Sequence, residues 1–349
     1  MPFASKIQVS EAQLRTLMVD IEMRYQSDSP YHNATHAADV MNSMLYLLQL
    51  PQTPFFNLSP ADKFAGLVAA TAHDVGHDGN SNRYHVVVET PLALLYNDQS
   101  VLENMHCAIL FTVLRSKGTN ILEDWEPADR ANFRSSVTRM ILDTDLGKHI
   151  PQIQKFRADF LNEDNPFNED NVTLAQRRDL LSFAMKICDV GGSSKPFAIH
   201  VAWALRVNAE FFLQGDLERE VGLPCSPFCD RRTSNIADSQ RGFYDFIVCP
   251  LYLCLEQFIK DPRINIDVMN PLQANKKFWK SCDGSMIRND NPLSSIPRLV
   301  QLFRAGGTSH TQPLSPPPRV RSVAGRGFLS QQLPAIFAKD GSKSEGFPA

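Results

Sequence analysis

Two short strings set histidines four residues apart: Tyr31-His32-Asn33-Ala34-Thr35-His36 and Ala72-His73-Asp74-Val75-Gly76-His77-Asp78-Gly79. The second also fuses a histidine to an aspartate. Neutral imidazole and carboxylate together make the donor set of Zn²⁺ beside a harder divalent ion, the equipment used to hydrolyse phosphate esters. One such histidine pair is more often surface or satisfied core than a metal site. Two pairs, an adjoining aspartate and glycines directly after make coincidence a poor explanation, and seven of the nine histidines fall before residue 150, as one cluster would require. His36, His73 and Asp74 supply three ligands. A fourth must come from far along the chain, and Lys186-Ile187-Cys188-Asp189-Val190-Gly191-Gly192 is a good source, because Asp189 ends an apolar helix and two glycines let the backbone turn away.

The elements that must position these residues read as helices. Ser10 with Gln13 forms a capping box ahead of a stripe of Leu14, Leu17, Met18, Ile21 and Tyr25. Asn33 caps a second helix carrying Val40, Met44, Leu47 and Leu48, which puts His36 in its first turn and His32 just outside it. His36 is then a rigid ligand, whereas His32 is free to face a substrate. Ser59-Pro60 opens a third helix whose Phe64, Leu67, Val68 and Thr71 lead into His73-Asp74. Gly76 and Gly79 end that helix near His77. Further helical stretches are expected over 100–115, 130–142, 173–189, 196–214 and 240–259, and Val86-Val87-Val88 is the one short β-branched run. The fold class is all-α: a multi-helix domain over residues 1–304.

From Ala305 the composition shifts to Gly306-Gly307, Pro316-Pro317-Pro318 and several arginines, so 305–349 reads as a flexible tail. Phe328-Leu329 and Ile336-Phe337 are the apolar pairs by which it could dock on the body or on a protein partner. A homodimer is the other protein contact expected. With 349 residues, 43% hydrophobic, 21% charged and a net charge of −3, the chain has an ordinary globular composition, with nothing to favour nucleic acid. No apolar run is long enough to span a bilayer, and Met1 to Ser10 lacks a secretory leader. The seven cysteines are odd in number and scattered; Cys225 and Cys229 form a lone C-x-x-x-C without a second pair. A reduced, cytoplasmic protein is expected.

The histidine strings, written Tyr31-His32-Asn33-x-x-His36-Ala37-x-x-Val40 and His73-Asp74-x-x-His77-x-Gly79-x-x-Asn82, resemble the signature of the class I 3′,5′-cyclic nucleotide phosphodiesterases. Leu102-Glu103-Asn104, Thr144-Asp145, Cys188-Asp189, Lys195-Pro196, Phe211-Phe212-x-Gln214-Gly215-Asp216 and Ser239-Gln240-x-Gly242-Phe243 follow in the family's order. The resemblance implies the HD-type helical catalytic fold, with His36, His73, Asp74 and Asp189 holding a tight Zn²⁺ and Asp74 also touching a second ion, Mg²⁺ or Mn²⁺. It implies that His77, Glu103, His106, Thr144 and Asp145 orient the waters of those ions. His32 becomes the proton donor, with a carboxylate such as Glu103 to hold it. Gln240 and Phe243 receive the base with Val207 on the opposite wall, and Tyr31 lines the substrate site.

The chemistry agrees with those roles. Two cations neutralise the phosphodiester oxygens and turn a bridging water into hydroxide; in-line attack then expels O3′, which takes a proton from His32. A glutamine amide pairs with adenine, or with guanine after rotating. Departures bear on that choice: Asp189-Val190-Gly191-Gly192-Ser193 stands where many adenosine-selective relatives have Asp-x-Ser-Asn-Pro, so Gly192 has no side chain to read adenine, and Met105 and Leu146 replace a histidine and a methionine. Cyclic AMP is the expected substrate with cyclic GMP within reach. The rival readings are an HD-type metal phosphohydrolase for noncyclic nucleotides, which would need a basic cluster not found near the metal strings, and an inactive helical scaffold. No regulatory module precedes the catalytic stretch, which fits a short isoform or an excised domain.

Overall fold

Helix caps and apolar spacing set the architecture. The structure, a computed structural model, describes residues 9–306 apart from 52, 56, 165, 166, 169 and 170. Its helices are α1 Glu11–Glu22, α2 Ala34–Gln49, α3 Pro60–Ala72, α4 Asn82–Val87, α5 Pro91–Leu95, α6 Val101–Val113, α7 Pro127–Leu142, α8 His149–Phe160, α9 Leu174–Asp189, α10 Phe197–Glu220, α11 Ile236–Phe243, α12 Cys249–Phe258, α13 Pro262–Ile264, α14 Asn270–Ser281 and α15 Ile296–Gly306. There is no strand among the described residues, and Val86 and Val87 lie in α4. The fold is the all-α one expected. Ser10 and Gln13 make the reciprocal capping box of α1, and Thr173 with Gln176 does the same for α9.

The core forms where α2, α3, α7 and α9 pack together, filled by Met44, Leu48, Phe64, Leu67, Met140, Leu181 and Met185. Because α2, α3 and α9 each carry an expected ligand residue at or beside one end, the best-packed part of the molecule also positions the candidate site. All seven cysteines are free thiols, Cys225 and Cys229 included. No helix of the described residues is long and apolar enough to cross a membrane. Helix α15 continues to Gly306, two residues past the expected domain boundary, while residues 307–349 of the tail lie outside the described residues.

The stretch expected as one helix over 240–259 is interrupted. A π turn over Tyr244–Val248 joins α11 to α12, and a second over Asn265–Met269 joins α13 to α14. Pro250 and Pro271 follow within two residues of those turns. Proline supplies no N–H and its ring crowds the carbonyl of the preceding turn, so the helix widens locally rather than ending.

Gly76 shows how tightly the ligand turn is made. Its φ is +82°, and a Cβ there would lie 2.5 Å from Ile109 Cδ1 on α6. Gly76→Ala is therefore expected to destabilise the protein by about 2 kcal/mol or more, from a left-handed alanine plus overpacking. A shift of the urea midpoint at unchanged m-value measures it; an unchanged midpoint would show that the turn relaxes freely.

Candidate metal centre

Three chain segments deliver the ligand atoms. Asn33 Oδ1 accepts from the backbone N–H groups of Thr35 and His36 at 3.0 and 3.2 Å, fixing His36 in the first turn of α2. Helix α3 ends at Ala72, so His73 is its cap residue and Asp74 opens the turn that Gly76 completes. The His73/His77 spacing is thus not a helical pair. Asp189 is the last residue of α9. One donor atom from each of His36, His73, Asp74 and Asp189 lies within 4.8 Å of the others. The closest approaches are His73 Nε2 to Asp74 Oδ2 at 3.0 Å, His36 Nε2 to Asp189 Oδ1 at 3.2 Å, and His73 Nε2 to Asp189 Oδ1 and to His36 Nε2 at 3.3 Å each.

Lone pairs crowded in this way need a cation or shared protons. His73 Nδ1 lies 3.0 Å from the Ala70 carbonyl, which can only accept, so Nδ1 carries the proton and Nε2 presents its lone pair to the cluster. Asp74 Oδ2 is buried and receives no hydrogen bond from any described residue. Burial pushes against charge here, yet the imidazoles hold the Asp74 and Asp189 carboxyls well below the ordinary range, and the carboxylates hold His73 well above its own. Two imidazoles, two carboxylates and an orphaned oxygen fit a divalent ion of the zinc class.

Beside this group, His32 makes a short hydrogen bond through Nδ1 to Glu210 Oε1. Glu210 Oε2 accepts from the backbone N–H groups of Tyr31 and His32, both at 3.0 Å, and from the Ser29 hydroxyl. Burial would lower the His32 pKa, but the Glu210 charge and hydrogen bond override it and raise it to about 9. Burial would raise Glu210, and His32 holds it down at about 2. The carboxylate that holds His32 is therefore Glu210 and not Glu103, whose two oxygens instead accept from Asn82 Nδ2, at 2.9 and 3.2 Å, and which is pushed up by burial to about 7. A single acidic residue among Ala209, Phe211 and Phe212 in the middle of α10 is the one sequence signal that could have pointed to Glu210.

The remaining expected residues divide into two groups. His77 stacks on His32 with ring centres 3.9 Å apart; burial and the His32 charge push it down to about 3, so it is neutral beside a cationic neighbour. His106 lies with Nε2 3.9 Å from Asp74 Oδ1 and Nδ1 on the Val75 carbonyl at 2.8 Å. Asp145 accepts from the Ser100 hydroxyl at 2.7 Å and from Gly147 N–H at 2.8 Å, whereas Thr144 gives its hydroxyl proton to the Ile141 carbonyl at 2.8 Å. Tyr31 packs on His36 at 4.6 Å and on Trp203 at 5.6 Å. Gly192 explains itself by packing: a Cβ there would lie 3.3 Å from Trp203 Cβ.

Gln240 and Phe243, the residues expected at the base, make no hydrogen bond or ring contact with the ligand group; they lie on α11, which packs against α10. Gln240 is buried, and its amide makes no side-chain hydrogen bond among the described residues. Phe243 and Val207 are half-buried, and Val207 precedes Glu210 by three residues on α10, on the same side of that helix.

Comparison with known proteins follows this geometry. The family model described as 3′5′-cyclic nucleotide phosphodiesterase matches residues 31–269. The human high affinity cAMP-specific and IBMX-insensitive 3′,5′-cyclic phosphodiesterase 8A is 32% identical over 299 residues, covering 81% of this chain and 35% of that protein. The Drosophila melanogaster dual specificity calcium/calmodulin-dependent 3′,5′-cyclic nucleotide phosphodiesterase 1 is 36% identical over 247 residues, covering 70% of this chain and 28% of that protein. The chain thus spans about a third of the length of these relatives. Among solved structures, the phosphodiesterase domain of the RhoPDE fusion protein from the choanoflagellate Salpingoeca rosetta superposes with a TM-score of 0.71 at 28% identity, covering 80% of this chain and 86% of that one.

Proposed function

Because this chain belongs to the 3′,5′-cyclic nucleotide phosphodiesterase family, we propose that it hydrolyses 3′,5′-cyclic nucleotides to 5′-monophosphates, cyclic AMP first and cyclic GMP within reach. The observation that carries the reading is the convergence of His36, His73, Asp74 and Asp189 beside a histidine held by a buried carboxylate. The catalytic body is taken to run to about residue 304, with the rest of the chain appended to it.

His36, His73, Asp74 and Asp189 would hold the tight ion, taken as Zn²⁺, and Asp74 would share a second, Mg²⁺ or Mn²⁺. When bound, such ions neutralise phosphate oxygens and activate water. The chain's own residues do the rest. His32 donates a proton to the departing O3′, and Glu210 keeps its ring oriented and charged until that moment. His77, stacked on His32, does not compete for that proton, because burial and the His32 charge hold its own pKa at about 3. His106, Glu103, Thr144 and Asp145 orient the solvent around the ions. Tyr31 closes the wall beside His36.

Gln240 supplies the base contact, with Phe243 and Val207 as the apolar faces of the slot. No neighbouring side chain fixes its amide, so neither orientation is excluded, which supports acceptance of both purines. Gln240→Ala is expected to raise KM for both nucleotides about fivefold with little change in kcat, the loss of roughly one hydrogen bond of about 1 kcal/mol. Equal Michaelis constants for wild type and variant would remove Gln240 from recognition.

The deciding experiment is side-by-side kinetics with cyclic AMP, cyclic GMP and a nucleoside triphosphate, before and after chelation and with Mg²⁺ or Mn²⁺ restored. Turnover of the cyclic substrates that disappears on chelation and returns with metal is expected. Turnover of the triphosphate alone would replace the reading with the noncyclic one.

A further inference from the structure

Between α7, α8, α9 and α12 lies a cavity of about 40 Å³ whose mouth is flanked by the half-exposed Arg139 and Lys155. Three of its lining side chains have buried polar atoms with no partner among the described residues: Lys186 Nζ, Ser182 Oγ and Gln152 Oε1. Lys186 is 3% exposed and Ser182 7% exposed. Asp179, Ser182 and Lys186 recur along one stripe of α9, and Arg139, Asp143 and Lys155 complete the polar lining.

The charges are met unevenly. Asp179 takes Arg139 and Lys155, both at 2.5 Å, Asp143 takes Arg139 at 3.3 Å, and Asp159 takes Lys155 at 2.5 Å. Arg139 and Lys155 thus each have two carboxylates, whereas the Lys186 ammonium has none within ion-pair distance among the described residues. Burial lowers its pKa, and Asp189, Asp143, Asp145 and Glu103 counter that only from further away. A buried ammonium without a counter-ion is among the costliest arrangements a fold can keep.

The orphaned atoms specify what would relieve it. Lys186 Nζ and the Ser182 hydroxyl offer protons to an anion. Gln152 Oε1 wants a proton in return, and it cannot flip, because Gln152 Nε2 already donates to the Asp143 carbonyl at 3.0 Å. Chloride cannot give that proton; a singly protonated oxyanion can. The volume is that of about three water molecules on the scale where one needs about 10–15 Å³, which suits the four heavy atoms of hydrogencarbonate better than phosphate.

We propose that the cavity lined by Lys186, Ser182 and Gln152 is a binding site for a small protonated oxyanion of the hydrogencarbonate class. Asp143 adjoins Thr144-Asp145, and Lys186 lies one turn before Asp189, so an occupant would brace the two helix ends that feed the metal centre.

The test is thermal unfolding of the metal-loaded full chain in hydrogencarbonate, phosphate or chloride at matched pH and ionic strength. Hydrogencarbonate is expected to raise the midpoint by about 2–4 °C over chloride. Ser182→Ala should lose at least half of that rise and Lys186→Met all of it. Oxyanions that simply ligate the metals would act equally on wild type and both variants, and that result would overturn the proposal. So would equal midpoints in all three salts, the mark of a site filled by water alone, or a rise with phosphate and none with hydrogencarbonate.

Discussion

Asp189→Ala is expected to remove tightly held metal and turnover together. Asp189 reaches the centre from a point 153 residues beyond His36, and its Oδ1 is the atom nearest to His36 Nε2 at 3.2 Å. Without it the donor set falls from four atoms to three, and the remaining pair of imidazoles faces a single carboxylate. A zinc-class ion held by three ligands exchanges its fourth position with solvent and is lost on desalting far more readily. The helix should survive the change, because Asp189 is the terminal residue of α9 and Leu180, Leu181, Ala184 and Met185 carry that helix's burial. Elemental analysis after desalting, activity with cyclic AMP and far-ultraviolet circular dichroism on the same sample check it. Full activity with normal metal content would take Asp189 out of the site; a collapsed dichroism spectrum would mean that the fold, and not the ligand set, had failed.

The parts of this site that could be read in the sequence are those fixed by local rules. Asn33 announces a cap, which places His36 inside a helix and His32 outside it, and the structure keeps that division. Gly191 and Gly192 do not open the expected turn: Val190–Ser194 carries on from Asp189 as a 3-10 helix. The limit of the His73/His77 spacing is visible in Gly76, although the helix ends earlier, at Ala72. What was not legible depends on partners far away in the chain. Glu210 meets His32 across 178 residues, and nothing local distinguishes it from any acid on a mostly apolar helix except that it is buried. Helix α8 offers Ile153, Phe156 and Phe160 at helical spacing, yet it falls outside the expected stretches. The π turns before Pro250 and Pro271 show the opposite difficulty: proline marks a disturbance without saying whether the helix stops or widens.

The pairing of His32 with Glu210 yields the prediction with the most distinctive signature. His32→Ala should leave metal content unchanged and lower kcat by about 10²–10⁴, the usual worth of a positioned general acid. An unchanged rate would exclude His32 as the donor. Glu210→Gln is subtler, because the amide oxygen can still accept from Nδ1–H while the negative charge is gone. In the wild type that charge raises the His32 pKa to about 9, so the donor stays protonated at neutral pH and activity declines only as pH climbs towards that value. Cations at the centre offset the smaller contributions of Asp74 and Asp189 to this rise but leave the Glu210 contribution in place. With glutamine at 210, burial dominates and the alkaline limb of kcat should move down by at least about one pH unit. The same charge pair has a stability counterpart. His32 has a folded pKa above its unfolded one, so its contribution is complete below about 6.5 and is lost as pH rises through about 9. Glu210 lies below its unfolded value, so its contribution holds above about 4.5 and is lost as pH falls through about 2. The wild type should therefore outlast Glu210→Gln most clearly between those limits, near pH 4.5–6.5, and the gap should narrow at alkaline pH. A merely structural glutamate would lower the unfolding midpoint by a constant amount and leave the alkaline limb of kcat where it was.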